Sequence, residues 1–111
     1  MSDLTVILAA LAEPVRRGIV ERLIREGERT VGELAAPLDI STPAVSRHLR
    51  ILEEAGLIER RVRRQWRVVR VRPEAMGEIE SWLAEQKRFW EGALDRLEAA
   101  AARQLPKRRK S

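Results

Sequence analysis

Apolar residues return at helical spacing over most of the chain, and Pro, Gly or a capping residue separates one run from the next. Leu4, Ile7, Leu8 and Leu11 define a short amphipathic helix that begins after Ser2 or Asp3. Pro14 suits the first turn of a second helix, with Ile19, Val20, Leu23 and Ile24 facing inward and Gly27 as its stop. Thr30 and Glu33 are spaced as a capping box, so a third helix runs through Leu34 and ends near Pro37. In ISTPAVSRHLRILEEAGLI, residues 40–58, Ser41 reads as an N-cap and Pro43 is tolerated in the first turn. Val45, Leu49 and Leu52 make the buried stripe of this fourth helix, and Gly56 followed by Leu57 closes it.

Beyond Gly56 the period shifts towards two. LIERRVRRQWRVVRV mixes Ile, Val and Trp with Arg and predicts two strands of a ribbon turning around Arg63–Gln65. Val62, Val68 and one end of Trp66 are expected to pack while several arginines point outward. No Gly marks the turn, so the pattern leaves its register open. From Pro73, the residues Met76, Ile79, Leu83, Trp90, Leu94, Leu97 and Ala101 recur at spacings of three, four and seven. About thirty helical residues extend roughly 45 Å, more than a small core covers. A second copy of the chain is the economical supplier of the missing surface. The expected dimerisation residues are Leu4, Leu8 and Leu11 with Ile79, Leu83, Trp90, Leu94 and Leu97.

These elements predict a mainly α fold with a small β-hairpin wing. It is a winged helix-turn-helix over residues 1–105, dimerised through its N- and C-terminal helices. A basic disordered tail is expected at 106–111, where Pro106 precedes Lys107–Lys110. The 111-residue length suits one domain. The chain has no cysteine, which excludes disulfides and thiolate metal sites. Neither a membrane-spanning apolar run nor a signal-peptide pattern is present, so a cytoplasmic protein is expected.

The net charge of +5 is unevenly placed. Residues 57–72 hold seven arginines against Glu59 alone, for +6, and the tail from Pro106 adds +4. The remainder is mildly acidic, at −2 over residues 1–56 and −3 over 73–105. A localised basic stripe on a balanced chain is the footprint of a phosphate-backbone binder, whereas solubility alone needs no such concentration.

Helices three and four, joined by a tight turn at Leu38–Ile40, form a helix-turn-helix whose second helix enters the major groove of double-stranded DNA N-terminus first. Its face opposite Val45, Leu49 and Leu52 presents Thr42, Pro43, Ser46, Arg47 and Arg50. Arg47 suits a guanine edge, Ser46 and Thr42 can donate or accept, and the Pro43 ring can meet a thymine methyl. Arg50 lies further along and suits a phosphate, as do Arg63 and Arg64 nearest the wing turn. The sole histidine, His48, neighbours Val45 and Leu49 on the helical wheel and reads as a half-buried packing residue or phosphate contact. With no Tyr, no Cys, one His and no Gly-rich phosphate loop, catalysis is not expected, nor is any cofactor. Two other readings stay open: a winged-helix module that binds protein or RNA, and a repressor responding to a small molecule. In the latter, Trp66, Trp82, Phe89 and Trp90 would line an apolar pocket, although aromatics at helical spacing are more often core.

The segments AEPVRRGIVERL and TVGELAAPLDISTPAVSRHLRILEEAGLIERR, with the Trp-containing second strand and RFW at 88–90, closely resemble the ArsR-type winged-helix repressors. The resemblance implies a homodimeric, DNA-binding transcriptional regulator, usually a repressor of its own operon. It carries the recognition-helix contacts onto Thr42, Pro43, Ser46 and Arg47, and the wing contacts onto Arg63 and Arg64. Metal-sensing members of that family place Cys in the third helix, where this chain has Ala35 and Pro37. Others place Asp/His pairs on the last helix, which here carries no His. A member without a transition-metal site is therefore expected.

Overall fold

The computed structural model describes residues 3–104; the expected tail at 106–111 lies outside the described residues. In chain order the elements are α1 (Leu4–Ala12), α2 (Pro14–Glu26), β1 (Arg29–Thr30), α3 (Val31–Ala35), α4 (Thr42–Glu54), β2 (Ile58–Arg63), β3 (Trp66–Val71) and α5 (Pro73–Gln104). Contacts divide the chain into two compact units, Met1–Glu78 and Ile79–Ser111.

Local chemistry explains where the helices of the first unit begin and end. Asp3 accepts a hydrogen bond from the Thr5 amide at 3.0 Å and starts α1. Glu13 accepts from the Arg16 amide at 2.8 Å, and Pro14 then occupies the first turn of α2. Thr30 and Glu33 form the full capping box of α3: the Glu33 amide donates to Thr30 Oγ1 at 3.1 Å and the Thr30 amide donates to Glu33 Oε1 at 2.8 Å. Ser41 caps α4 through the Ala44 amide. Helix α4 then closes with two bonds, from the Gly56 amide to the Glu53 carbonyl and from the Leu57 amide to the Leu52 carbonyl, both 3.0 Å. That closure needs a left-handed residue at Gly56, whose φ is 78°.

The core is apolar throughout among the described residues, with Ile7, Leu34, Val45, Leu49, Leu52, Leu57, Ile58 and Val69 all but sealed from solvent. It draws on α1, α3, α4 and the proximal ends of β2 and β3, with Ile19, Val20 and Leu23 supplied by α2. Ile24 departs from expectation. It is 56% exposed, because the inward stripe of α2 is complete with Ile19, Val20 and Leu23.

The wing is a three-stranded antiparallel sheet in the order β1-β3-β2, one strand more than the expected ribbon. The extra strand pairs Arg29 with Val69 and Thr30 with Val68, which fixes the α2–α3 connection to the sheet. Arg63 pairs with Trp66, so the turn is the two-residue Arg64–Gln65, with Arg64 at φ 58°. This register corrects the expected packing. Val62 lies opposite Arg67 and Val68 opposite Arg61, so Val62 and Val68 point to different faces. Val68 is buried, while Val62 and Trp66 near the tip are exposed.

The second unit is the length of α5 from Ile79 onward. Its apolar residues Trp82, Leu83, Phe89, Trp90, Leu94 and Leu97 are all exposed, by 41–72%. In the first unit Leu8 of α1 is also exposed, and Leu4 and Leu11 are half-buried.

Candidate nucleic-acid interface

Helix α4 is clamped from behind and bare in front. Val45, Leu49 and Leu52 are buried, and the capped start at Ser41 holds the first turn. The five residues picked out from the sequence, Thr42, Pro43, Ser46, Arg47 and Arg50, are all solvent-exposed. Pro43, Ser46, Arg47 and Arg50 recur at three- and four-residue spacing and share one face. The first-turn amides beside Thr42 and Pro43 add the partial positive charge of a helix N-terminus.

His48 lies on the flank of α4 that meets α2, and only 18% of its side chain is exposed. Its Nδ1 is 3.3 Å from Arg16 Nη1 and 3.8 Å from Glu13 Oε2. A guanidinium only donates, so Nδ1 is the acceptor in the first contact. Arg16 also donates through Nε to the Ala10 carbonyl at 2.8 Å, tying α1, α2 and α4 together. The Arg16 amide beside the Glu13 carboxylate holds that acid below its ordinary pKa, with smaller help from the Val15 amide and from the charge of Arg16. His48 is a packing residue joining helices, placed away from the bare face.

The wing arginines separate into two groups. Arg60 is bound to Glu53 of α4, Arg61 and Arg70 share Glu59, Arg63 reaches Glu28 at 3.3 Å, and Arg72 lies 3.7 Å from Glu74. Among the described residues no carboxylate lies within 4.0 Å of Arg64 or Arg67, nor of Arg47 or Arg50 on α4. Arg64 sits in the turn, and Arg67 shares its sheet face with Val62 and Arg60. Since Arg60 points to α4, Arg67 lies on the sheet face turned towards that helix. Arg67 was not singled out from the sequence, because its face depends on the turn register. Arg63 is the reverse: its position beside the turn was legible, its partner Glu28 was not.

Ala35 ends α3 and Pro37 follows it, so neither position offers a metal ligand. Among the described residues no three His, Asp or Glu side chains converge as metal ligands. No helix among them is long and apolar enough to cross a membrane. A groove of about 520 Å³ lies between the end of α2, β3 and the start of α5 and is lined by Leu23, Ile24, Val71 and Met76, with Glu28 and Arg70 among its polar groups. None of the four aromatic residues lines it.

A capped helix-turn-helix with a polar second helix and an arginine-rich wing defines a winged helix-turn-helix regulator of transcription. Residues 11–61 match a helix-turn-helix domain family. The chain is 44% identical over 85 residues to the HTH-type transcriptional regulator Rv2034 of Mycobacterium tuberculosis, spanning 77% of this chain and 76% of that one. It is 36% identical to the arsenic resistance transcriptional regulator ArsR1 of Pseudomonas putida, over 70% of this chain and 61% of that protein. Among solved structures, the ArsR family transcriptional regulator RHA00566 superposes with a TM-score of 0.74 at 38% identity, covering 82% of this chain and 97% of its own. The chain belongs to the ArsR family of winged helix-turn-helix transcriptional regulators. It is a DNA-binding protein and not an enzyme.

Proposed function

We propose that this chain is a homodimeric repressor that binds an inverted-repeat operator and controls its own promoter. Each protomer lays α4 in the major groove. Thr42, Pro43, Ser46 and Arg47 meet base edges, Arg50 meets phosphate, and the wing tip follows the backbone through Arg64 and Arg67. Arg63 contributes less, since a phosphate must compete there with Glu28. The carrying observation is that, among the arginines of α4 and the wing, Arg47 and Arg50 on the bare helix face and Arg64 and Arg67 near the wing tip have no carboxylate partner, while the other wing arginines do. Had arginine served only to balance acidic neighbours, these four would be paired as Arg60 and Arg70 are.

The dimer follows from the exposed apolar length of α5. A side chain such as Trp90 or Leu97 gains roughly 1.5–3 kcal/mol on full burial, and one helix face offers several of them. The experiment is titration of the chain onto the duplex upstream of its own gene and onto random duplex, at several salt concentrations. Tight, two-fold symmetric protection of an inverted repeat is expected. Equal affinity for both duplexes at every salt concentration would remove the operator reading.

A further inference from the structure

At the root of the wing the sheet is left unfinished, and its open edge faces the groove between the end of α2, β3 and the start of α5. Strand β1 pairs Thr30 with Val68 and Arg29 with Val69 and then stops. Carried further back, the same register would set Glu28 opposite Arg70 and Gly27 opposite Val71. The chain turns away instead at Gly27, whose φ is 84°, and the groove of about 520 Å³ opens where those two pairs would have closed. The Arg72 amide donates to the Leu57 carbonyl on the β2 side. Successive residues of a strand direct their backbone groups to opposite edges, so the Val71 amide and carbonyl face the groove without a strand partner.

Two opposite charges line the same groove. Glu28 and Arg70 do not pair with each other: Glu28 Oε2 turns to Arg63 Nη1 at 3.3 Å, and Arg70 Nε to Glu59 Oε1 at 2.8 Å. Glu59 Oε1 is buried yet takes no hydrogen bond of good geometry, so the Arg70 donors are largely unspent. A carboxylate has two accepting oxygens and a guanidinium five donors, which leaves both groups capacity for a ligand. The remaining walls are apolar, with Leu23, Ile24, Pro73 and Met76. The volume falls within the range of about 300–1,000 Å³ found for small-molecule sites. A cation alone would sit against Arg70 and an anion alone against Glu28. A zwitterion on an apolar body satisfies both.

We propose that this groove binds an α-amino acid with an apolar side chain. Its ammonium meets Glu28, its carboxylate meets Arg70 and the Val71 amide, and its side chain lies against Leu23, Ile24 and Met76. The ligand thus supplies the polar groups that the missing continuation of β1 would have supplied. The groove ends at Met76, ahead of the part of α5 given to a second copy, so this site stands apart from the homodimer reading. A bound ammonium also competes with Arg63 for Glu28.

L-leucine, isocaproate and isoamylamine share one apolar body and carry, in turn, both charges, the carboxylate alone and the ammonium alone. Calorimetry on the full chain should show leucine saturating, with the other two at least about tenfold weaker, since each lacks one charge-assisted hydrogen bond. Amide shifts in NMR should centre on Gly27, Glu28 and Val71. Glu28→Gln should weaken leucine about tenfold without weakening isocaproate, and Arg70→Gln should weaken leucine about tenfold without weakening isoamylamine. Arg63→Ala removes the competitor and should tighten leucine. Isocaproate or isoamylamine binding as tightly as leucine overturns the zwitterion site, as does weaker leucine binding in Arg63→Ala. Failure of both L-leucine and L-phenylalanine to saturate the chain at millimolar concentration, or shifts centred elsewhere, overturns it as well.

Discussion

Arg60 of β2 and Glu53 of α4 join the wing to the recognition helix, with Nη2 2.8 Å and Nε 3.2 Å from the same carboxylate oxygen. That contact takes Arg60 out of the pool of cations available to DNA and leaves Arg64 and Arg67 in it. Each neutralised phosphate contributes about −0.9 to the slope of log affinity against log salt. Replacing Arg64 and Arg67 by Ala removes up to four contacts from a dimer and should make the slope shallower by up to about 3.6. Arg60→Ala should leave the slope where it was and lower stability by no more than about 1 kcal/mol, because the pair is partly exposed. Fluorescence anisotropy at four or five salt concentrations decides the matter; equal slopes in both variants would return the wing to the status of a solvated hairpin.

Arg47 and Arg50 are both exposed and both lack a carboxylate partner, but they differ in distance from the helix start. Arg47→Ala is expected to cost about 1–3 kcal/mol on the operator and to relax preference at one base position in each half-site. Arg50→Ala should weaken all duplexes evenly. Binding to a panel of single-base operator variants separates the two, and an even loss for Arg47→Ala would contradict its base-reading role.

Trp90 is the large exposed side chain nearest the middle of α5 beyond Ile79. Trp90→Glu places a charge where a second copy is expected to sit, so the dimer should dissociate at micromolar concentration while each protomer stays folded. Operator affinity should fall with it, because one protomer then reaches only one half-site. Sedimentation and circular dichroism are the measurements, and a dimer of unchanged strength would discard this surface.

Acid should loosen the start of the helix-turn-helix. The Thr30 amide, assisted by the Thr30 hydroxyl and by Arg29 and Arg22, holds the Glu33 carboxyl below its ordinary value near 4.5. A carboxyl with a depressed folded-state pKa contributes stability that is present above the unfolded value. The contribution is lost as pH falls through the folded one. Melting temperature should therefore drop on acidification below about pH 4.5, and Glu33→Gln, which keeps the cap but not the charge, should flatten that part of the curve. A Gln variant with the same acid dependence would assign the loss to other carboxylates, Glu13 and Glu26 first, since both are lowered too.

What could be read in advance was what local chemistry decides. The capping box of Thr30 and Glu33, the Ser41 cap and the glycine stops at 27 and 56 involve neighbours in sequence, and each stands where its pattern placed it. β1 was illegible because two residues, Arg29 and Thr30, carry no period; their pairing depends on Val68 and Val69 far along the chain. The wing register was illegible for another reason. Arg64 occupies the turn where Gly or Asn would have announced it, and a turn one residue longer would set Val62 and Val68 on the same face. The Glu28–Arg63 and Glu53–Arg60 pairs join separate elements and emerge only once these are folded together. Of the candidate site, the helix face was legible, and the sorting of the wing arginines was not.

Arg64 stands in backbone territory that glycine enters freely and arginine does not, a difference of about 1 kcal/mol. Two selections run on the same gene would therefore part company at this codon. A library sorted for heat resistance should drift towards Gly or Asn at position 64, and one sorted for operator occupancy should keep a cation there. The tip of the wing is thus where folding and regulation ask for different amino acids.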